Sequence, residues 1–181
     1  MNIDQHWLTN VIHTPSPNFD DRTDGNDISL LVIHCISLPP GEFDNPYIDQ
    51  LFCNKLAPDQ HPYFKEIYQL TVSAHLLIKR SGEIVQYVAF DKRAWHAGKS
   101  EYKGRERCND FSIGIELEGT EHTPYTEQQY QQLAAVIELL LKSYPGLSRQ
   151  RITGHCDIAP ERKTDPGASF DWQKLFSLLP D

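Results

Sequence analysis

Two short stretches of the 181-residue chain hold histidines where imidazole chemistry is easily built. In SLLVIHCIS, His34 sits inside an almost continuous apolar, β-branched run. In TGHCDIAPERKTDPG (153–167), His155 opens a segment crowded with Asp157, Glu161, Arg162, Lys163 and Asp165. A lone histidine in an apolar run is usually a hydrogen-bonded core residue. Two of them with Asp165 make a different set. Neutral imidazoles and a carboxylate suit Zn²⁺, and three protein ligands leave a fourth position for water, which separates a catalytic zinc from a structural one. Cys35 and Cys156 adjoin the two histidines, and a thiolate would also bind zinc. Neighbouring strand side chains point to opposite faces, so only one of each pair easily reaches a shared site; the histidines are the expected ligands and the cysteines small core residues.

Glu116 and Lys163 gain meaning beside such a centre. Zinc lowers the pKa of a bound water to about 7. A carboxylate can take the water's proton, and an ammonium can stabilise the oxyanion that forms on a carbonyl. Standing alone, each residue reads as ordinary surface charge. A competing chemistry would make Cys35 or Cys156 a nucleophile served by a histidine.

The elements that must position these residues can be read from periodicity. SLLVIHCIS has the pattern of a central strand covered on both faces. FSIGIELEG alternates, with Ile113, Ile115 and Leu117 on one face and Ser112, Gly114, Glu116 and Glu118 on the other. TVSAHLLIK and EIVQYVAF flank Ser81-Gly82 and read as an antiparallel hairpin, with Val72, Ala74, Leu76 and Ile78 on one face and Thr71, Ser73 and His75 on the other. RITGH reads as a short strand ending at His155, and the segment after it as irregular loop. A helix is expected from about Glu127 to Tyr144, opened by a Thr126/Gln129 capping box and stopped by Pro145-Gly146. FDWQKLFSLL closes the chain as an amphipathic helix. Between Leu38 and Leu70 lies a long insertion with a short helix around YIDQLFCNKL, the kind of excursion that forms walls or lids. The expectation is one α/β domain, 1–181, with a mixed central β-sheet flanked by helices.

A net charge of −8 argues against nucleic acid or an acidic membrane as the main partner. No apolar stretch has the length of a bilayer-spanning helix, and MNIDQHWLTN lacks the basic and apolar regions of a secretory signal. Four cysteines without CxxC spacing fit reduced thiols. A cytoplasmic location is expected, and no obligate protein partner is evident.

The order SLLVIHCIS, VSAHLLI, RSGEIVQYV, AWHAG, RCNDFSIGIELEG and TGHCDIAPERKTDPG resembles the zinc-dependent N-acetylmuramoyl-L-alanine amidases, whose fold is shared with peptidoglycan recognition proteins. PPGEF and HPYF resemble the cytosolic branch that acts on 1,6-anhydro-N-acetylmuramyl-L-alanine in cell-wall recycling. The resemblance implies that His34, His155 and Asp165 hold Zn²⁺, that Glu116 is the general base and that Lys163 supports the oxyanion. It also implies that Arg107, Ala159 and Arg162 bind an anhydromuropeptide substrate. Ala74 stands where some branches use tyrosine, and Cys35 where close relatives often carry asparagine. His75 and His96 are expected to orient other groups by hydrogen bonding. A non-catalytic muropeptide-binding protein of the same fold is the alternative.

Overall fold

The computed structural model describes residues 1–180; Asp181, the last residue of the expected domain, lies outside the described residues. The chain opens with four short strands, β1 (Ile3–Asp4), β2 (Trp7–Leu8), β3 (Ile12–His13) and β4 (Phe19–Asp21), and then enters the central strand β5 (Leu30–Ile36). The insertion carries α1 (Tyr47–Phe52) and α2 (Phe64–Ile67). The hairpin β6 (Leu76–Ile78) and β7 (Ile84–Gln86) follows, then β8 (Lys92–Ala94), β9 (Glu101–Tyr102), β10 (Arg105–Glu106) and the second long strand β11 (Ser112–Glu118). The long helix α3 (Glu127–Ser143), the strand β12 (Ile152–Gly154), a single helical turn α4 (His155–Ile158) and α5 (Trp172–Leu178) complete it.

The main sheet has the order β12-β5-β11-β6-β7-β3. β12, β5, β11 and β6 run parallel, while β7 returns antiparallel to β6. The sheet is therefore mixed, as the sequence predicts. On one face Leu31, Ile33, Ile113, Ile115 and Leu117 meet Leu133, Ile137 and Leu140 of α3 in the main core. The capping box is present: the Thr126 hydroxyl accepts from Gln129 N–H at 3.1 Å and the Gln129 side chain accepts from Thr126 N–H at 3.0 Å. On the other face, a small cluster with Leu30, Val32, Phe111 and Ile158 fills the amino-terminal end. The insertion packs its Leu51, Phe52 and Phe64 over Ala74, Leu77, Val85 and Tyr87 beside it.

Two local expectations change. The strand of the VSAHLLI segment begins only at Leu76, and Ala74 packs under the insertion with Leu77 rather than with Leu76 and Ile78 in the main core. Alternation fails there because 71–75 is irregular backbone. Strand β12 stops at Gly154, and His155 begins a helical turn. The turn forms because the Asp157 carboxylate accepts from Gly154 N–H and from the Thr153 hydroxyl, each at 2.8 Å, as an acidic residue does in the first turn of a helix. The segment just before β5 is anchored by Arg22, which is buried and donates to the carbonyls of Phe90, Asn109, Asp110 and Ser112.

Candidate active site

Strand register brings the chemistry together. Glu116 lies opposite His34 across β11 and β5, and Gly154 lies opposite Ile33 across β12 and β5, so the chain delivers His155 at the level of His34. Directly opposed residues share a sheet face. Both histidines and Glu116 therefore stand at the carboxyl ends of parallel strands, where open α/β sheets place their ligands.

His34, His155 and Asp165 are all buried, and they form a group whose ligand atoms lie within 4.8 Å of one another. His34 Nδ1 is 3.0 Å from His155 Nδ1, and each is 3.2 Å from Asp165 Oδ2. Burial lowers the His34 pKa to about 4, so the imidazole is neutral at pH 7. Burial pushes the Asp165 carboxyl up, but its hydrogen bonds with His155 and His34 outweigh this and hold it below the usual carboxylate range. His155 Nε2 faces the Ala97 carbonyl at 3.1 Å. A carbonyl only accepts, so that nitrogen carries the proton and His155 turns a lone pair toward the cluster. Two imidazole nitrogens and a carboxylate oxygen thus converge with at most one proton among them. Bonds of about 2.0 to 2.2 Å to a tetrahedral zinc would set such atoms about 3.3 Å apart, so the donor set and its spacing fit that ion.

Glu116 is 9% exposed, and its Oε2 is buried without a hydrogen-bond partner. Burial, helped by repulsion from Asp165 and opposed by Lys163, lifts its carboxyl well above the ordinary range. A carboxyl with this raised affinity for protons is suited to general acid–base work. Lys163 is half-buried, with its backbone N–H donating to the Ala159 carbonyl at 2.9 Å. The three candidate ligands, Glu116 and Lys163 all line one cavity of about 610 Å³, walled on its far side by Leu51, Phe52, Tyr63 and Ile67 of the insertion.

Arg107, Ala159 and Arg162 are brought together elsewhere. They line a second depression of about 510 Å³ that shares no lining residue with the first. Arg107 is well exposed, 3.2 Å from Asp110 Oδ2. Arg162 is held in place by one end of its guanidinium: its Nη2 donates to the Ala97 and Lys99 carbonyls at 2.7 and 2.9 Å. The cysteines are free thiols away from the ligand cluster. Cys35 faces the main core, and burial pushes its pKa up to about 12, while burial also raises Cys156. Neither is poised as a nucleophile, which needs the thiolate.

His75 is fully buried. Its Nδ1 accepts from Gly114 N–H at 3.0 Å and its Nε2 donates to the Lys92 carbonyl at 3.0 Å, so it braces the backbone rather than entering the cavity. The hydrogen-bond partners of the two candidate histidines are His96, for which the sequence predicts an orienting role without naming its partner, and the Ala97 carbonyl, which sequence reasoning did not assign. AWHAG is the only local trace of them.

A buried pair of histidines and an aspartate beside an unpartnered carboxylate has the layout of a metal-assisted hydrolase site. Residues 24–168 match the N-acetylmuramoyl-L-alanine amidase family, and the chain belongs to that family. It is 61% identical to the 1,6-anhydro-N-acetylmuramyl-L-alanine amidase AmpD of Escherichia coli K12, covering 99% of this chain and 97% of the relative. It is 54% identical to AmpD of Haemophilus influenzae, covering 98% and 96%. A crystal structure of a selenomethionine AmpD derivative superposes with a TM-score of 0.97 at 60% identity, covering 99% and 100%. The E. coli amidase AmiD, solved with the substrate anhydro-N-acetylmuramic acid-L-Ala-D-γ-Glu-L-Lys, superposes with a TM-score of 0.62 at 30% identity, covering 84% of this chain and 57% of AmiD.

Proposed function

We propose that the protein is a zinc-dependent hydrolase that cleaves the amide bond between 1,6-anhydro-N-acetylmuramic acid and the L-alanine of muropeptides, in the cytosolic recycling of cell wall. The observation that carries this is the strand register setting Glu116 directly opposite His34, with His155 and Asp165 closing the same corner. The likeness to AmpD over almost the whole chain supports the substrate class. Among the described residues no helix is long and apolar enough to cross a membrane.

In this reading His34, His155 and Asp165 hold the metal. Zinc, when bound, supplies a Lewis acid that polarises the scissile carbonyl and makes water acidic enough to attack. Glu116 takes the proton of the attacking water; the C–N bond then breaks, and the same carboxyl passes the proton to the departing alanine nitrogen. Its raised affinity for protons suits both transfers. Lys163, on the cavity wall, offsets the negative charge that grows on the carbonyl oxygen. Arg107 and Arg162, beside Ala159, offer guanidinium groups to the carboxylates of the stem peptide. The insertion wall gives the sugar an apolar surface.

The test is mass-spectrometric product analysis on defined anhydromuropeptides with metal-loaded and chelator-treated protein. Release of free peptide that stops on chelation and returns with Zn²⁺ is expected. Binding of the muropeptide with no turnover in the zinc-loaded protein would establish the non-catalytic alternative.

A further inference from the structure

We infer that His96 is a positioning residue for the metal corner: its Nδ1 accepts a hydrogen bond from His34 Nε2–H, fixing the tautomer in which His34 Nδ1 is free to coordinate, and Gly114 makes room for its ring. This rests on the metal-site reading proposed above and adds to it a residue with no place in the ligand set.

His34 aims Nδ1 at His155 and Asp165, so a coordinating His34 must carry its proton on Nε2. The group 2.9 Å from that nitrogen is His96 Nδ1. The two rings meet edge to face, with centroids 5.0 Å apart and planes at 85°. If Nδ1 of His96 accepts, its own proton sits on Nε2, which points at the Ser112 hydroxyl 3.1 Å away. The chain of donors thus has one direction once a cation occupies the corner: His34 to His96 to Ser112. A metal-bound histidine usually gives its second N–H to a carboxylate, a carbonyl or water. A neutral imidazole in that role adds no further carboxylate beside Asp165 and Glu116, where one would add repulsion.

The fold is shaped around this ring. Gly114 lies in the middle of the fully buried strand β11, a place where glycine weakens a strand. Its backbone does not need glycine's left-handed freedom, but a Cβ built there meets His96 Cγ at 2.4 Å, Nδ1 at 2.5 Å and Cδ2 at 2.7 Å. Those atoms belong to a ring held on both nitrogens and cannot swing aside as a flexible tip would. Behind the ring, Asn109 Oδ1 accepts from the backbone N–H groups of His96 and Ala97 at 3.2 and 2.8 Å. Because the Ala97 carbonyl takes the His155 proton, one pinned dipeptide orients both histidine ligands.

The experiment measures Zn²⁺ affinity of the metal-stripped full-length protein by competition with a chromogenic chelator, with circular dichroism of each stripped variant to verify folding. Wild type should bind one zinc and His34→Ala should lose it; if wild type binds none, the metal-site reading itself falls, and this inference with it. His96→Phe should weaken zinc by about 10- to 100-fold, the usual cost of losing such a partner. His96→Asn, whose Oδ1 takes the place of Nδ1, should remain within about fivefold of wild type on the same scale. Gly114→Ala should weaken zinc in the wild-type background and add little in His96→Ala, which leaves the space open. Wild-type affinity in His96→Phe, or an equal Gly114→Ala penalty in both backgrounds, would overturn the assignment.

Discussion

The two faces of one pair of strands have opposite vocations. Along β5 and β11, Leu31, Ile33, Ile113, Ile115 and Leu117 turn to α3 and are fully buried in the main core. The alternate residues His34, Ser112, Gly114 and Glu116 turn to the other side, where no long helix covers them and the insertion and the 153–167 segment build the cavity. The residues of both faces are buried, but only one face is apolar. The difference teaches that the helix face holds the strands rigid, so that the site face can keep a carboxylate without partners, an arrangement that costs stability.

Neighbouring residues on β11 can break this comparison if it is wrong. Glu116→Gln should lower kcat on an anhydromuropeptide by about 10²- to 10⁴-fold, the range for losing a positioned acid–base group. It should leave the melting temperature unchanged or raised, since an uncharged amide replaces a desolvated carboxylate. Ile115→Ala, one residue away on the helix face, should cost about 2 to 5 kcal/mol in denaturant unfolding, with kcat per folded molecule retained. A dead but stable Ile115→Ala, or an unstable but active Glu116→Gln, would erase the distinction. Lys163→Ala tests the site face from its rim. A loss of about 10²- to 10³-fold in kcat, equivalent to about 2.7 to 4 kcal/mol of barrier, is expected with KM little changed, because the ammonium acts on charge that appears only during reaction.

The smallest effect belongs to the separate two-stranded sheet of β4 and β8. Arg93 of β8 donates to Asp20 of β4, and this hydrogen bond holds the Asp20 carboxyl below its usual range. A depressed folded-state pKa gives stability that is present above the unfolded value of about 4 and is lost as pH falls through the folded value. Asp20→Asn should therefore flatten acid unfolding slightly below about pH 4, with no change in turnover at pH 7. Partial exposure of both groups to solvent keeps the effect small.

What could be read from the sequence was what local pattern encodes. Ile113 to Glu118 alternates because a strand has period two, and Thr126 with Gln129 announces its helix within four residues. His34 and Glu116 could be placed on strands, yet only the parallel register joins them, and register is set by the whole sheet. His155 was expected at a strand end and lies on a helical turn; the signal was Asp157, three residues after Gly154, read there only as loop charge. Ala74 departs from alternation because the insertion, not α3, covers it. His96 and Arg22 could not be assigned their partners, since His34 lies 62 residues from one and Ser112 lies 90 residues from the other. The roles of Arg107, Ala159 and Arg162 came from family likeness alone, and the structure adds that Arg162 is already engaged by Ala97 and Lys99.

The segment between His155 and Asp165 is closed by the chain itself: Cys156 N–H donates to the Asp165 carbonyl at 2.9 Å, and the Tyr125 hydroxyl donates to the Pro166 carbonyl at 2.8 Å. Two of the three candidate donors thus lie on one segment closed by backbone hydrogen bonding, and the third is held by the central strand. In a zinc finger, by contrast, the metal assembles the chelate and its binding energy is folding energy. Here, in the metal-site reading proposed above, backbone hydrogen bonds hold the segment that carries the candidate donors, so chelator treatment should abolish turnover while far-ultraviolet circular dichroism and the folded fraction stay unchanged.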